Sequence, residues 1–266
     1  MKGRKVVIVG AGVMGKILAN KLATDYPNWQ ICLTLRNRAK IRQVKKEVVS
    51  GVQILQDNEC IVEADIVFLA IKPRDREKFF SEYGKKMKPE ALLISIMAGV
   101  SLTELGDKMH SRVVRCMTNT AVQTGQAVSV WQARSAGVRN LQLAKEIFLA
   151  WGKEFHVDSE GDIDKATALF GSGPALVYAF VENLYEAGLL IGFPKSRLAE
   201  LVQQMVVGAM AVAQNQPGVH FAELRDGVSS SGGTTVEGLA VLDEKGFSST
   251  LKCAVRAMHR KCTQLL

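Results

Sequence analysis

The sequence predicts an α/β protein in two parts, a doubly wound parallel sheet over residues 1–160 and an all-helical half over residues 161–266. Three observations carry this. An apolar run, Val6-Val7-Ile8-Val9, ends at once in Gly10-Ala11-Gly12-Val13-Met14-Gly15, and Ala19, Leu22 and Ala23 follow at helical spacing. Short β-rich runs then alternate with helix-length segments as far as about residue 157, which indicates parallel strands joined by helical crossovers. From about residue 162 the strand pattern stops, and long alanine-, leucine- and valine-rich stretches punctuated by Gly or Pro indicate packed helices.

Taken in order, the first strand is short enough to be buried in a parallel sheet, and the glycine turn after it gives the dinucleotide-binding fingerprint its three functions. Gly10 permits the tight turn, Gly12 leaves no side chain between backbone and pyrophosphate, and Gly15 lets the helix pack closely while its N-terminus faces phosphate. Residues 10–15, with Ala11, Val13 and Met14, are therefore candidate cofactor contacts. Later strands are expected at residues 31–35, 66–71, 92–96, 113–117 and 127–131, and the segment Asp158-Ser159-Glu160-Gly161-Asp162 reads as the junction. Helices are expected within 164–192, 195–214 and 246–264. In residues 175–181, and at Leu184, Leu189, Leu190 and Ile191 beyond them, nearly every helical face is apolar, which requires burial on more than one side. The simplest covering surface is a second copy, so a homodimer built through residues 164–266 is expected, with its extension into a ring of dimers left open.

Composition excludes several classes. With 266 residues, 47% of them hydrophobic and 23% charged, the chain is long enough for two modest domains with their own cores. No stretch approaches the roughly 18 uninterrupted apolar residues of a membrane span. Met1-Lys2-Gly3-Arg4-Lys5 leads straight into a core strand without a signal-peptide pattern, so a cytoplasmic location is expected. Cys32, Cys60, Cys116, Cys253 and Cys262 are odd in number and nowhere in CxxC spacing, which points to reduced thiols and no metal site. The net charge of +8 is spread along the chain, with Lys45-Lys46 and Lys85-Lys86 as solvated helix faces, so it favours a small anionic substrate and a phosphate-rich cofactor over nucleic acid.

Cofactor choice is written at the end of the second strand. An NAD site of this type places a carboxylate about 20 residues after the glycine turn. This chain reads Leu35-Arg36-Asn37-Arg38 there. With no acid to repel a 2′-phosphate and arginines able to bind it, NADP(H) is the preferred cofactor and NAD(H) the lesser one. Ala70-Ile71-Lys72-Pro73 leaves the strand at 66–71 where a dinucleotide passes, since Pro73 cannot continue a ladder. Met97-Ala98-Gly99 offers a small-residue surface, centred on Ala98, for a flat nicotinamide.

The strings GAGVMG at 10–15, AIKP at 70–73, ISIMAGVSL at 94–102, RVVRCMTNT at 112–120, GSGPA at 171–175 and SSSGGTT at 229–235 together resemble the pyrroline-5-carboxylate reductases over essentially the whole chain. The resemblance implies reduction of 1-pyrroline-5-carboxylate to proline with NAD(P)H, at a site where the helical domain of one subunit meets the nucleotide domain of its partner. It implies that Ser230, Gly232, Gly233, Thr234 and Thr235 hold the substrate carboxylate, that Asn119 lines the nicotinamide side, and that Asn58 contacts the adenosine ribose. It gives Thr235 a hydroxyl placed to bond the ring nitrogen, and sets Glu160 at an acidic position near the junction. Independently, two glycines opening a helix expose unpaired N–H groups that suit a carboxylate. The chemistry needs no His-Asp pair, because an imine is already an electrophile and positioning supplies most of the rate. His110, His156, His220 and His259 accordingly show no catalytic spacing.

GSGPA predicts a helix that bends or begins at Pro174. Ala121 and Ser231 stand where the family commonly has proline, which loosens both loops and motivates an alternative, a non-catalytic NADP-binding sensor or scaffold. A β-hydroxyacid dehydrogenase shares the opening motif and the helical second domain. Its lysine-to-asparagine pair four residues apart is missing here, where Lys165 is followed at that spacing by Leu169 and Lys195 by Ala199.

Overall fold

The computed structural model describes residues 3–109 and 112–264. Met1, Lys2 and His110 lie outside the described residues, as do Ser111, Leu265 and Leu266. The chain divides into two compact units, Met1–Ser172 with Met258–Leu266, and Gly173–Ala257.

The first unit is built on β1 (Lys5–Val9), α1 (Val13–Asp25), β2 (Gln30–Thr34), α2 (Ile41–Glu47), β3 (Val52–Leu55), β4 (Ile66–Leu69), α3 (Arg76–Tyr83), β5 (Leu92–Ser95), α4 (Leu102–Met109), β6 (Arg112–Met117), β7 (Ala127–Arg134), α5 (Val138–Trp151), β8 (Gly152–His156) and α6 (Glu160–Ala166). The strands form one sheet in the order β3-β2-β1-β4-β5-β6-β7-β8. Pairing is parallel throughout except between β6 and β7, so the expected parallel sheet acquires a reversed end. The reason is the link between them. Residues 118–126 hold only a short 3-10 turn, Thr120–Thr124, and a parallel partner needs a crossover of about a dozen residues or more.

Alternation along the strands feeds two cores. Val6, Ile8, Ile31, Leu33, Phe68 and Ile94 face Leu18 and Leu22 of α1 and Phe148 and Trp151 of α5. Val7, Val9, Val67, Leu69 and Leu93 face Phe79 and Phe80 of α3 and Leu105 and Met109 of α4. β3 and β8 lie outside the expected strand runs; they are the two edge strands and only partly buried, so their apolar pattern is weak.

The first compact unit runs on past residue 160 to Ser172 for a physical reason. Arg115 on β6 is 1% exposed, and its guanidinium donates to Glu160 Oε1 at 2.7 Å and to Asp164 Oδ1 at 2.5 Å. Glu160 Oε1 also accepts from the Leu102 amide at the start of α4 at 2.7 Å. These bonds bind α6 to the sheet. A π-helical turn, Thr167–Gly171, follows it, and the helical unit begins only at Gly173.

The second unit contains α7 (Gly173–Leu190), α8 (Lys195–Gln214), α9 (Phe221–Gly227), α10 (Thr234–Glu244) and the start of α11 (Phe247–Thr263), whose last turns belong to the first unit. A helix does begin at GSGPA, immediately after the π turn. α7 and α8 approach closely at Gly188, where a Cβ would lie 2.7 Å from Leu198 Cδ1. Most apolar side chains of this unit stay exposed in the single chain, Leu190 at 88% and Met205 at 54% among them. Among the described residues no helix is long and apolar enough to cross a membrane.

Candidate active site

The reversal of strand order between β1 and β4 creates a switch point, where the chain leaves neighbouring strands in opposite directions and opens a crevice at their carboxyl ends. A cavity of about 320 Å³ occupies it. Its floor is Val9, Gly10, Ala11 and Gly12; Thr34, Leu35, Arg36, Asn37 and Lys40 form one wall, and Ala70, Ile71, Lys72 and Asp75 the other, with Asn58, Lys78, Phe79 and Glu82 completing it.

The three glycines separate cleanly by role. Gly10 has φ +104, a left-handed value suited to glycine, and a Cβ there would meet Ala70 O at 2.9 Å. A Cβ on Gly15 would overlap the Gly10 carbonyl oxygen. Gly12, the N-cap of α1, has nothing within 4 Å of its Cβ position. The first turn of α1 carries no acidic residue, so the free amides at its N-terminus face open space with an undiminished positive dipole. Such a helix start suits an anion of the phosphate type. Gly10 N donates to Thr34 Oγ1 at 3.4 Å and Ala70 N to Val9 O at 2.9 Å, which fixes the turn between β2 and β4.

Asn58 is 7% exposed, lines the cavity, and has an Oδ1 without a partner among the described residues. A buried amide oxygen left unpaired is costly, and a hydroxyl donor entering the cavity would satisfy it. Arg36 and Asn37 line the cavity as expected, but Arg38 does not. Asn37 caps the 3-10 turn Arg38–Lys40, its Oδ1 accepting from the Ala39 amide at 3.0 Å, and that turn presents Lys40 to the cavity. Lys40 and Asp75 were missed in the sequence because their place depends on short turns rather than on strand or helix period.

Pro73 opens the 3-10 turn Pro73–Asp75 beside the cavity without lining it, and Val13 and Met14 open α1. Ala98 packs with Met117, Val130, Ile163 and Ala166 instead. Asn119 is also outside the cavity; its Oδ1 accepts from the Ala121 amide and its Nδ2 donates to Phe170 O, both at 3.0 Å. It thus ties the end of β6 to the π turn. A Cβ on Gly171 would lie 3.0 Å from Met117 Sδ, so glycine is needed for this approach.

The remaining expected residues lie in the helical unit. Ser230 O accepts from the Gly233 amide at 3.0 Å, Gly232 has φ +67, and a Cβ on Gly233 would overlap Ser230 Oγ, so the loop is a tight turn that favours glycine at 232. Gly233 is the N-cap of α10 with no side-chain cap, which leaves the amides of Thr234 and Thr235 available; Thr234 is exposed and Thr235 half-buried. In the same unit, His220 Nδ1 accepts from the Ala222 amide at 3.1 Å as the N-cap of α9.

The switch-point cavity, the open glycine turn and the basic wall define a protein of the dinucleotide-binding class. Residues 5–99 match the family model described as NADP oxidoreductase, coenzyme F420-dependent, and residues 160–265 match pyrroline-5-carboxylate reductase dimerisation. A pyrroline-5-carboxylate reductase of Arabidopsis thaliana is 32% identical over 266 residues, covering 98% of this chain and 95% of its own. One from Methanosarcina acetivorans is 32% identical over 268 residues, covering 98% and 97%. Among solved structures, a Plasmodium falciparum pyrroline carboxylate reductase with NADP bound superposes with a TM-score of 0.87 at 26% identity, covering 100% of this chain and 99% of that one. The chain belongs to the pyrroline-5-carboxylate reductase family.

Proposed function

We propose that this protein reduces 1-pyrroline-5-carboxylate to L-proline with NADPH, the final step of proline biosynthesis. The observation that supports this most is the switch-point cavity, floored by Gly10–Gly12 and walled by Arg36 and Lys40, in a chain that aligns end to end with reductases of that name. Gly10, Ala11, Gly12, Val13, Met14 and Gly15 hold the pyrophosphate, Asn58 the ribose, and Arg36 and Asn37 with Lys40 the 2′-phosphate. Ala70, Ile71, Lys72 and Pro73 flank the middle of the dinucleotide, and Ala98 and Asn119 the nicotinamide.

When bound, the reduced nicotinamide supplies a hydride to C5 of the imine. The chain's own residues have the remaining tasks. Ser230, Gly232, Gly233, Thr234 and Thr235 take the substrate carboxylate through amides and hydroxyls, and Thr235 orients the ring by donating its hydroxyl to the ring nitrogen and relaying the proton that stays there. A hydroxyl of ordinary acidity is a poor free acid, so its contribution is placement rather than acid strength. The exposed apolar faces of α7 and α8 are covered by a second copy, giving a homodimer, and mass measurement in solution separates that from a ring of dimers. The location is the cytoplasm, a reading supported by five free cysteines.

The test is the loss of reduced-nicotinamide absorbance when purified protein meets 1-pyrroline-5-carboxylate, run with NADPH, with NADH, and with 3-hydroxyisobutyrate and NADP as the control for a β-hydroxyacid dehydrogenase. Turnover of the imine, faster with NADPH, is the expected result. NADPH binding without imine reduction would remove the catalytic reading and leave a sensor or scaffold.

A further inference from the structure

We propose that Asp75 sets how strongly the protein distinguishes NADPH from NADH, by competing with the 2′-phosphate for Arg36; this rests on the cofactor reading above. In folds of this class the end of the second strand makes the choice, a carboxylate favouring the ribose hydroxyls and an arginine favouring the phosphate. This chain has only the arginine at that position. A carboxylate nevertheless enters the same cavity from the opposite wall, because Asp75 closes the 3-10 turn after β4 and lines the cavity with Arg36. Asp75 Oδ1 lies 3.7 Å from Arg36 Nη2.

The turn fixes where this charge sits. Pro73 occupies its first position, and the Asp75 amide donates to Lys72 O at 2.9 Å. The Arg36 side chain is 58% exposed and that of Asp75 38%, so water screens the pair and the arginine is not locked. A 2′-phosphate approaching Arg36 must displace or share it with Asp75, and it does so against the repulsion of a second anion. Lys40 lines the same cavity with no ion-pair partner among the described residues and offsets part of that repulsion. NADH brings neutral hydroxyls to the same place, which Asp75 accepts from without penalty. The carboxylate therefore narrows a preference that Arg36 and Lys40 create.

The experiment is a titration of the purified full-length protein with NADPH and with NADH, followed by nucleotide fluorescence, for the wild type, Asp75→Asn, Arg36→Ala and the double variant. Asp75→Asn is expected to tighten NADPH about threefold to tenfold while leaving NADH unchanged or weaker, with the gain shrinking at high salt. In the Arg36→Ala background the same substitution is expected to give little, since the competition needs the arginine. Equal shifts for both cofactors, weaker NADPH binding, or an undiminished gain without Arg36 would overturn the inference while leaving the cofactor reading in place. If the wild type binds NADPH no tighter than NADH and Arg36→Ala changes neither, the cofactor reading fails and takes the inference with it.

Discussion

The two units solve the problem of apolar surface in opposite ways. In the nucleotide unit the sheet is covered on both faces, and Val6, Val7, Ile8, Leu18 and Phe68 are all fully buried within one chain. In the helical unit α7 and α10 bury no residue to that degree, and α8 buries only Leu198 and Val202. Each large side chain left exposed forgoes about 1.5–3 kcal/mol of burial. Within the single chain the nucleotide unit buries most of its large apolar side chains, whereas the helical unit leaves most of its own in water. A second copy covering the helical unit would give its exposed apolar faces a role that the scattered exposed side chains of the sheet unit do not need.

The sharpest way to break that contrast is to place the same charge on each. Met205→Asp on α8 is expected to convert the dimer to monomers and abolish imine turnover, while Val138→Asp, at a side chain 73% exposed on the nucleotide unit, leaves mass and activity unchanged. Light scattering coupled to size exclusion reads both. Equal behaviour of the two variants would remove the distinction. Next in size, Arg115→Ala strands two carboxylates and is expected to cost about 3–5 kcal/mol in denaturant unfolding, a loss confined to the nucleotide unit and its attached α6. Thr235→Ala is expected to lower kcat for the imine by about a hundredfold with NADPH affinity unchanged, and Thr235→Ser to restore most of it. Parallel loss of NADPH affinity would show that Thr235 does not act on the substrate.

The smallest effect concerns pH. Burial pushes the Cys60 thiol up to about 11 from the ordinary 9.0, and Cys32 moves the same way for the same reason. The folded chain thus holds these protons more tightly than the unfolded one. Their stabilisation is full below pH 9 and fades as pH rises through about 11, so the melting temperature of the wild type is expected to fall across that window more than that of Cys60→Ser.

How much was legible follows the same divide. The glycine turn, the strand ends at Arg36 and Ala70–Lys72, and the apolar helical half are local patterns, and each was read directly. Lys40 and Asp75 reach the cavity through single 3-10 turns, whose direction no periodicity encodes. The Arg115 cluster joins residues 45 and 49 positions apart. Its one signal in the sequence was a charge inside an otherwise apolar strand, RVVRCM. β8 went unread because GKEFH is an edge strand that alternates weakly and starts on Gly152, the residue that also ends α5.

Gly12 offers a practical consequence. Its neighbours at 10 and 15 cannot accept a methyl without disturbing backbone, yet a methyl at 12 would meet only open space at the mouth of the proposed cofactor site. Fold and cofactor occupancy are therefore separable by one carbon atom. A Gly12→Ala chain is expected to fold and assemble but not turn over, and mixing it with wild-type chains in known proportion would produce hybrid particles that count how many working subunits each particle requires. In a cell the same chain would act as a dominant inhibitor if partners must work together, and as a silent passenger if they need not.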